Sequence, residues 1–259
     1  MISPLALSLS KGRSSFPHRE VEGRCFDKLS TSGFVLATLL LAGCGHAETD
    51  RDAAGFPLPD RPVASIVSPR WSTEPERDLA HEADAVIAAA GVKPGMAVAD
   101  IGAGEGYYTL HLAKAVGGRG QVIAEDIMPA YVTGLRQRVD RSKLANVSVS
   151  LGKPDDAQLP PASADRIFLI HMYHEIGDPY ALMARLRPAL RPGGRIIIVD
   201  ANRETGAHGT PPTLLKCEMA AVGYRQIGWR DMPAARGYLA AFVPVGEPPR
   251  PEAITVCKA

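Results

Sequence analysis

From Glu74 onward the apolar residues change spacing at regular intervals. Short runs that are apolar at nearly every position give way to longer stretches in which apolar residues return every three or four. That alternation predicts strands of a parallel sheet, covered on both faces by the helices between them. A helix is expected from Glu74 to Ala90, closed by Gly91, with Leu79, Ala83, Val86 and Ile87 on one face. Thr73 and Glu76 have capping-box spacing before it, and Pro75 suits a first turn. Met96 to Ile101 reads as the first strand and Glu105 to Val116 as the next helix, stopped by Gly117-Gly118. Strands follow at Gln121–Ile127, Val147–Leu151 and Arg166–His171, with a helix from Pro129 to about Val139. A helix over Pro179–Leu190 and the turn Arg191-Pro192-Gly193-Gly194 lead to a fifth strand, Arg195–Val199.

The pattern then changes character. After a helix expected over Pro212–Val222, the strands Tyr224–Trp229 and Gly237–Val243 are separated by too few residues for a helical crossover. They are therefore expected to be antiparallel. Before Glu74 the chain reads differently again. Residues 44–70 are rich in Pro, Asp, Arg and Ala without periodicity and read as a flexible linker, which places the folded domain at 71–259. Residues 1–43 read as a targeting segment. An apolar run from Gly33 to Leu41, flanked by Arg24 and Lys28, is too short for a permanent membrane helix but suits the core of a signal peptide. Its ending, Leu41-Ala42-Gly43-Cys44, resembles the lipobox of bacterial lipoproteins. That resemblance implies a lipid anchor on Cys44 and a membrane-attached, periplasm-facing protein, the alternative being a cytoplasmic one.

Composition narrows the partners. The 259 residues carry 29 Lys plus Arg against 28 Asp plus Glu, which gives no bulk field to recruit nucleic acid. Cys25, Cys44, Cys217 and Cys257 lack zinc-site spacing, so no metal is expected. Cys217 and Cys257 are either two free thiols or, in an oxidising compartment, a disulfide joining the tail to the last helix.

The candidate chemistry lies between the first strand and its helix, in Val98-Ala-Asp-Ile-Gly-Ala-Gly-Glu-Gly-Tyr-Tyr-Thr109. Glycines in such a turn let backbone amides approach a ligand closely. Gly106 follows Gly104 by two residues, whereas dinucleotide sites space these glycines by three. Asp100 ends the strand, where a carboxylate favours a cationic ligand and repels a pyrophosphate. Asp100 to Gly106 resembles the acidic-x-Gly-x-Gly-x-Gly motif of class I S-adenosylmethionine-dependent methyltransferases, and the similarity extends across Glu74 to Val243. It implies a Rossmann-like α/β fold whose seven strands lie in the order 3-2-1-4-5-7-6, with strand 7 antiparallel. The implied cofactor is S-adenosylmethionine, its methionyl part held by Asp100 and by the loop Gly102, Ala103, Gly104, Gly106 and Tyr107.

The same resemblance implies that Asp126, 24 residues after Gly102, binds the ribose hydroxyls, with Ile127 packing on the adenine. Strand alternation places Glu125 on the opposite face. Gly152-Lys-Pro-Asp155-Asp156 resembles the family's adenine-binding loop with altered spacing, which offers Asp155 or Asp156 for the amino group or else as solvated turn carboxylates. At the end of the fourth strand, His171-Met-Tyr-His-Glu-Ile176 approaches the transferred methyl. His171 is expected to line the methionyl pocket. His174, Glu175 and Tyr173 are the candidate catalytic groups, set against packing or capping roles. An Asn/Asp-Pro-Pro-Tyr motif is absent, which favours a small-molecule acceptor over nucleic acid. His208, Gly209 and Pro211-Pro212 are either part of an acceptor lid or an ordinary loop. The rival functions are a nicotinamide oxidoreductase and a non-catalytic lipoprotein. Export and a cofactor made in the cytosol conflict, and of the two the fold pattern rests on more segments.

Overall fold

A computed structural model describes residues 50–66 and 74–258. Cys44 and the targeting segment lie outside these residues, as do Trp71 and Thr73, the expected helix cap. The strands are β1 Ala97–Ile101, β2 Gln121–Asp126, β3 Val147–Leu151, β4 Ala164–Ile170, β5 Leu190–Asp200, β6 Tyr224–Met232 and β7 Gly237–Pro244. They form one sheet in the order β3-β2-β1-β4-β5-β7-β6. The first five are parallel, and β7 runs antiparallel between β5 and β6. β1 pairs with β2 and β4, is buried at all five positions, and ends where the glycine turn begins.

The helices are α1 Glu74–Leu79, α2 Glu82–Ala89, α3 Tyr107–Val116, α4 Pro129–Arg141, α5 Pro179–Leu186 and α6 Pro212–Ala221. They cover both faces, as the doubly apolar strands require. Leu112, Ala113 and Val116 of α3 and Val86 of α2 pack on Val98, Phe168 and Ile197. Met183 and Leu186 of α5 and Leu215 and Met219 of α6 pack on Ala99, Ile167 and Ile198.

Three local expectations are corrected. The helix expected over Glu74–Ala90 is broken, because His81 adopts a left-handed conformation (φ 53°) between α1 and α2. Leu79, expected on the buried face, is 82% exposed as a result. The helix expected to reach Leu190 ends at Leu186 and tightens into a 3₁₀ turn at 187–189, since Pro188 has no amide hydrogen to continue it. β5 begins at Leu190 rather than Arg195, with a register shift against β4 around the Pro-Gly-Gly turn.

The expected linker also differs where it is described. Residues 50–66 form a strap held against the domain. Arg61 is buried, pairing with Glu218 of α6 at 2.9 Å and reaching the carbonyls of Tyr173 and Ile176. The amide of Ala64 donates to His174 O at 3.0 Å, and the backbone at Asp60 forms a parallel β-bridge with that at Lys258 in the tail. Cys217 and Cys257 are joined in a disulfide, so the tail is fixed to α6. The amide of Cys257 also donates to the Tyr180 hydroxyl. Among the described residues, no helix is long and apolar enough to cross a membrane.

Candidate active site

A pocket opens at the carboxyl ends of β1, β2 and β4, where parallel strands of this topology leave a crevice. The turn after β1 takes Gly102, Gly104 and Gly106 through positive φ (66°, 55° and 87°). Gly106 needs its missing side chain, because a Cβ there would lie 2.3 Å from Leu135 Cδ1 of α4. At Gly104 a Cβ would meet nothing, so its backbone faces open pocket. α3 starts at Tyr107, directly after the turn.

Asp100 is 3% exposed and accepts from Thr109 Oγ1 at 2.6 Å. Burial, with Asp126 nearby, pushes its carboxyl up to about 6 despite the Thr109 bond. Asp126 accepts from the Gly104 amide at 2.8 Å through one oxygen and from the Met128 amide at 2.8 Å through the other. Burial also raises Asp126, and those backbone donors oppose the rise. Glu125, on the opposite face of β2 yet on the pocket wall, is pushed up to about 8 by burial and by the nearby carboxyl groups of Asp126, Asp100 and Asp156. A Cβ at position 152 would fall 1.8 Å from Glu125 Oε1, so a side chain there would displace the Glu125 carboxyl from its present place.

The far wall comes from α1 and the end of β4, backed by Glu82 of α2. Arg77 grips Glu82 through Nε (3.0 Å) and Nη2 (2.6 Å) and stacks 3.9 Å over the Tyr107 ring. Tyr108 donates to Glu82 at 2.8 Å, and His171 Nε2 lies 3.5 Å from the same oxygen. Burial would raise Glu82, but the bonds from His171 and Arg77 outweigh it and hold the carboxyl at about 2. His171 is in the left-handed region (φ 55°), a costly conformation for this residue that the amide bond to Val199 O and the Glu82 contact maintain.

The expected site residues divide as follows. Asp100, Gly102, Ala103, Gly104, Tyr107, Asp126, Ile127, His171 and Glu175 all line the pocket. Gly106 shapes the turn from behind. Asp155 and Asp156 are directed elsewhere. Asp155 is paired with Arg185 of α5, and Asp156 accepts from the Gln158 amide at 2.8 Å, which leaves Lys153 and Pro154 of that loop on the wall. Tyr173 is fully buried under Arg61, with the guanidinium 5.6 Å from its ring centre, and does not reach the pocket. His174 is also fully buried and stands behind Glu175. Glu125, set aside in favour of Asp126 on strand alternation, shares the pocket wall with it. Arg77, Glu82 and Tyr108 were not anticipated, and nothing in the spacing pointed to the Arg77–Glu82 pair.

A model described as a methyltransferase domain matches residues 92–224. The chain belongs to that family. It is a class I methyltransferase by its sheet order, and its cofactor is S-adenosylmethionine. The methyltransferase is 33% identical over 107 residues to protein-L-isoaspartate O-methyltransferase of Methanothrix thermoacetophila, covering 41% of this chain and 48% of that one. It is 30% identical over 118 residues to the ubiquinone/menaquinone biosynthesis C-methyltransferase UbiE of Teredinibacter turnerae, covering 45% and 47%. The chain thus spans about half the length of the curated relatives it matches. In fold it is similar to a SAM-dependent methyltransferase from Aquifex aeolicus, with a TM-score of 0.57, 22% identity, and 66% of this chain and 97% of that one covered.

The residues of this methyltransferase fit the cofactor. Asp100, Glu125 and Asp126 place three carboxyl groups around one end of the pocket. Of the two cations on the pocket wall, Arg77 is engaged by Glu82, and Lys153 lies in the loop after β3. Such a wall suits a ligand carrying an ammonium, a sulfonium and a ribose diol, and opposes a diphosphate.

Proposed function

We propose that this chain transfers a methyl group to a small organic nucleophile. When bound, S-adenosylmethionine supplies an electrophilic methyl carbon on its sulfonium. Asp100 and the amides of the glycine turn hold the methionyl end, and Asp126 accepts from the ribose hydroxyls with Ile127 beside the adenine. The observation that carries the reading is the buried Asp100 at the base of the glycine turn, on the wall of the pocket. The same pocket is also lined by Tyr108, Met172, Ile176 and Ile66, an aromatic and apolar surface that we assign to a compact acceptor. The chain's contribution to the transfer is alignment of the acceptor with the methyl and exclusion of water.

Isothermal titration tests the cofactor half of this proposal. S-adenosylhomocysteine is expected to bind the wild type and to lose at least tenfold in affinity in Asp126→Ala, while NADH gives no heat. Binding of NADH, or an affinity that Asp126→Ala leaves unmoved, refutes it. Incubating the protein with S-adenosylmethionine and a panel of phenols, amines and thiols, and following release of S-adenosylhomocysteine, tests the acceptor half.

The proposal extends to location. The Cys217–Cys257 disulfide is of the kind an oxidising compartment permits, which supports export through the Cys44 signal over a cytoplasmic protein. Mass spectrometry of the mature N-terminus checks this. An unmodified chain starting upstream of Cys44 rules that route out.

A further inference from the structure

Behind the acceptor end of the pocket, three ligand-bearing side chains meet that no spacing in the sequence joins. His174 and Glu175 lie in the 3₁₀ turn Tyr173–Glu175 after β4, and His208 lies in the loop after β5. One ligand atom from each falls within 4.8 Å of the others. Two ligands on a tetrahedral zinc ion, with bonds of about 2.0–2.2 Å, are about 3.4 Å apart. Side-chain rotations of about an ångström would therefore close the set around an ion.

The state of His174 points the same way. Its Nδ1 lies 3.0 Å from both carboxylate oxygens of Asp200, at the end of β5, which places the proton on Nδ1. Asp200 is itself fixed by the Ala201 amide at 2.8 Å and Thr210 Oγ1 at 2.7 Å. In the neutral ring the lone pair is then on Nε2. It is buried, makes no hydrogen bond, and faces Glu175 Oε1 at 3.9 Å, with the His208 ring edge-on at 5.4 Å between centroids. A carboxylate behind a histidine whose outer nitrogen points at further ligands is the arrangement that orients metal-binding imidazoles.

We propose that His174, Glu175 and His208 form a site for a divalent first-row transition-metal ion, with Asp200 as the positioning residue behind His174. Two imidazoles and one carboxylate suit zinc and its neighbours in the series and do not suit magnesium or calcium. Glu175 lies on the pocket wall, so a coordination position left on that side can take an oxygen of the acceptor. That last clause rests on the methyltransferase reading, whereas metal binding itself does not.

The test is a titration of the chelator-treated full chain with Co²⁺ in the absence of cofactor, followed by visible absorption and back-titration with Zn²⁺. One equivalent of Co²⁺ is expected to bind and to be displaced by Zn²⁺. Glu175→Gln and His208→Ala should each weaken binding at least tenfold. His81→Ala, which removes an exposed histidine beside Asp84, should leave it unchanged. Circular dichroism confirms that each variant is folded, and His208→Gln replaces His208→Ala if the latter is not. Absence of stoichiometric binding overturns the proposal. So does binding that survives both ligand variants or follows His81. Because the cofactor takes no part, failure here leaves the S-adenosylhomocysteine titration to be judged by itself.

Discussion

Replacing Asp100 with asparagine separates what the pocket needs from what the fold prefers. The buried carboxyl titrates at about 6, against an ordinary value of 3.8. Below pH 3.8 the group is neutral in both folded and unfolded chains, and the folded state keeps its full stability. As pH rises from there, the unfolded chain loses its proton first, and stability falls by about 1.4 kcal/mol per pH unit until the folded group also ionises. Above pH 6 the accumulated cost levels at about 3 kcal/mol. Asparagine cannot ionise, but it turns one acceptor into a donor and forfeits one bond from Thr109, worth about 1 kcal/mol.

Asp100→Asn is therefore expected to be about 2 kcal/mol more stable than the wild type at pH 8. For a domain of this size that raises the melting temperature by about 4–8 °C. The advantage shrinks below about 1 kcal/mol at pH 5, where the wild-type group is largely protonated. The same variant should bind S-adenosylhomocysteine roughly tenfold to hundredfold more weakly, the worth of a charge-assisted bond to an ammonium. Urea melts at both pH values and calorimetric titration measure the two effects. Removing the Asp100 charge also relieves Glu125, whose upward shift it contributes to, so this relief adds to the variant's advantage at pH 8. An asparagine variant no more stable than the wild type at pH 8, or one with undiminished affinity, refutes the reasoning.

Gly106→Ala meets Leu135 at 2.3 Å in a backbone conformation of φ 87°, and should destabilise by about 1–3 kcal/mol in urea melts. Reducing the Cys217–Cys257 bond, which spans 40 residues, should cost about 4 kcal/mol of chain-entropy stabilisation, read from melts with and without dithiothreitol. Arg61→Met strands Glu218, which burial already raises, and should cost about 3–5 kcal/mol at pH 8. Because an acid raised in the fold destabilises once ionised, that loss should lessen as pH is lowered, and a pH-independent loss would contradict the assignment.

The sheet order and the cofactor end of the pocket were legible because each rests on local features. Continuous apolar runs mark β1, β4 and β5, and Asp100 with its glycines marks the turn. What was not legible depends on partners distant in sequence. Asp155 looks like a binding residue until Arg185 of α5, thirty positions on, takes it away from the pocket. Tyr173 looks like part of a catalytic cluster until Arg61 and Glu218 enclose it. The strap of residues 50–66 lacks periodicity because it is held by single anchors, Arg51, Arg61 and Ala64, rather than by a repeating apolar face. His81 breaks an otherwise continuous helix, and the break brings Arg77 of α1 onto Glu82 of α2 at the pocket wall.

The strap and the tail are fastened to each other as well as to the body. Arg51 donates to Pro251 O, and the backbone at Asp60 forms its β-bridge with that at Lys258. Deletions in the strap and in the tail therefore cannot be scored separately. Removing 50–61 withdraws the guanidinium from beneath Tyr173 and also strips the last residues of their neighbours, while cutting after Gly246 frees the strap as well as breaking the disulfide. The turn that carries His174 and Glu175 thus rests on the strap through Arg61 and Ala64, and the strap in turn depends on the tail.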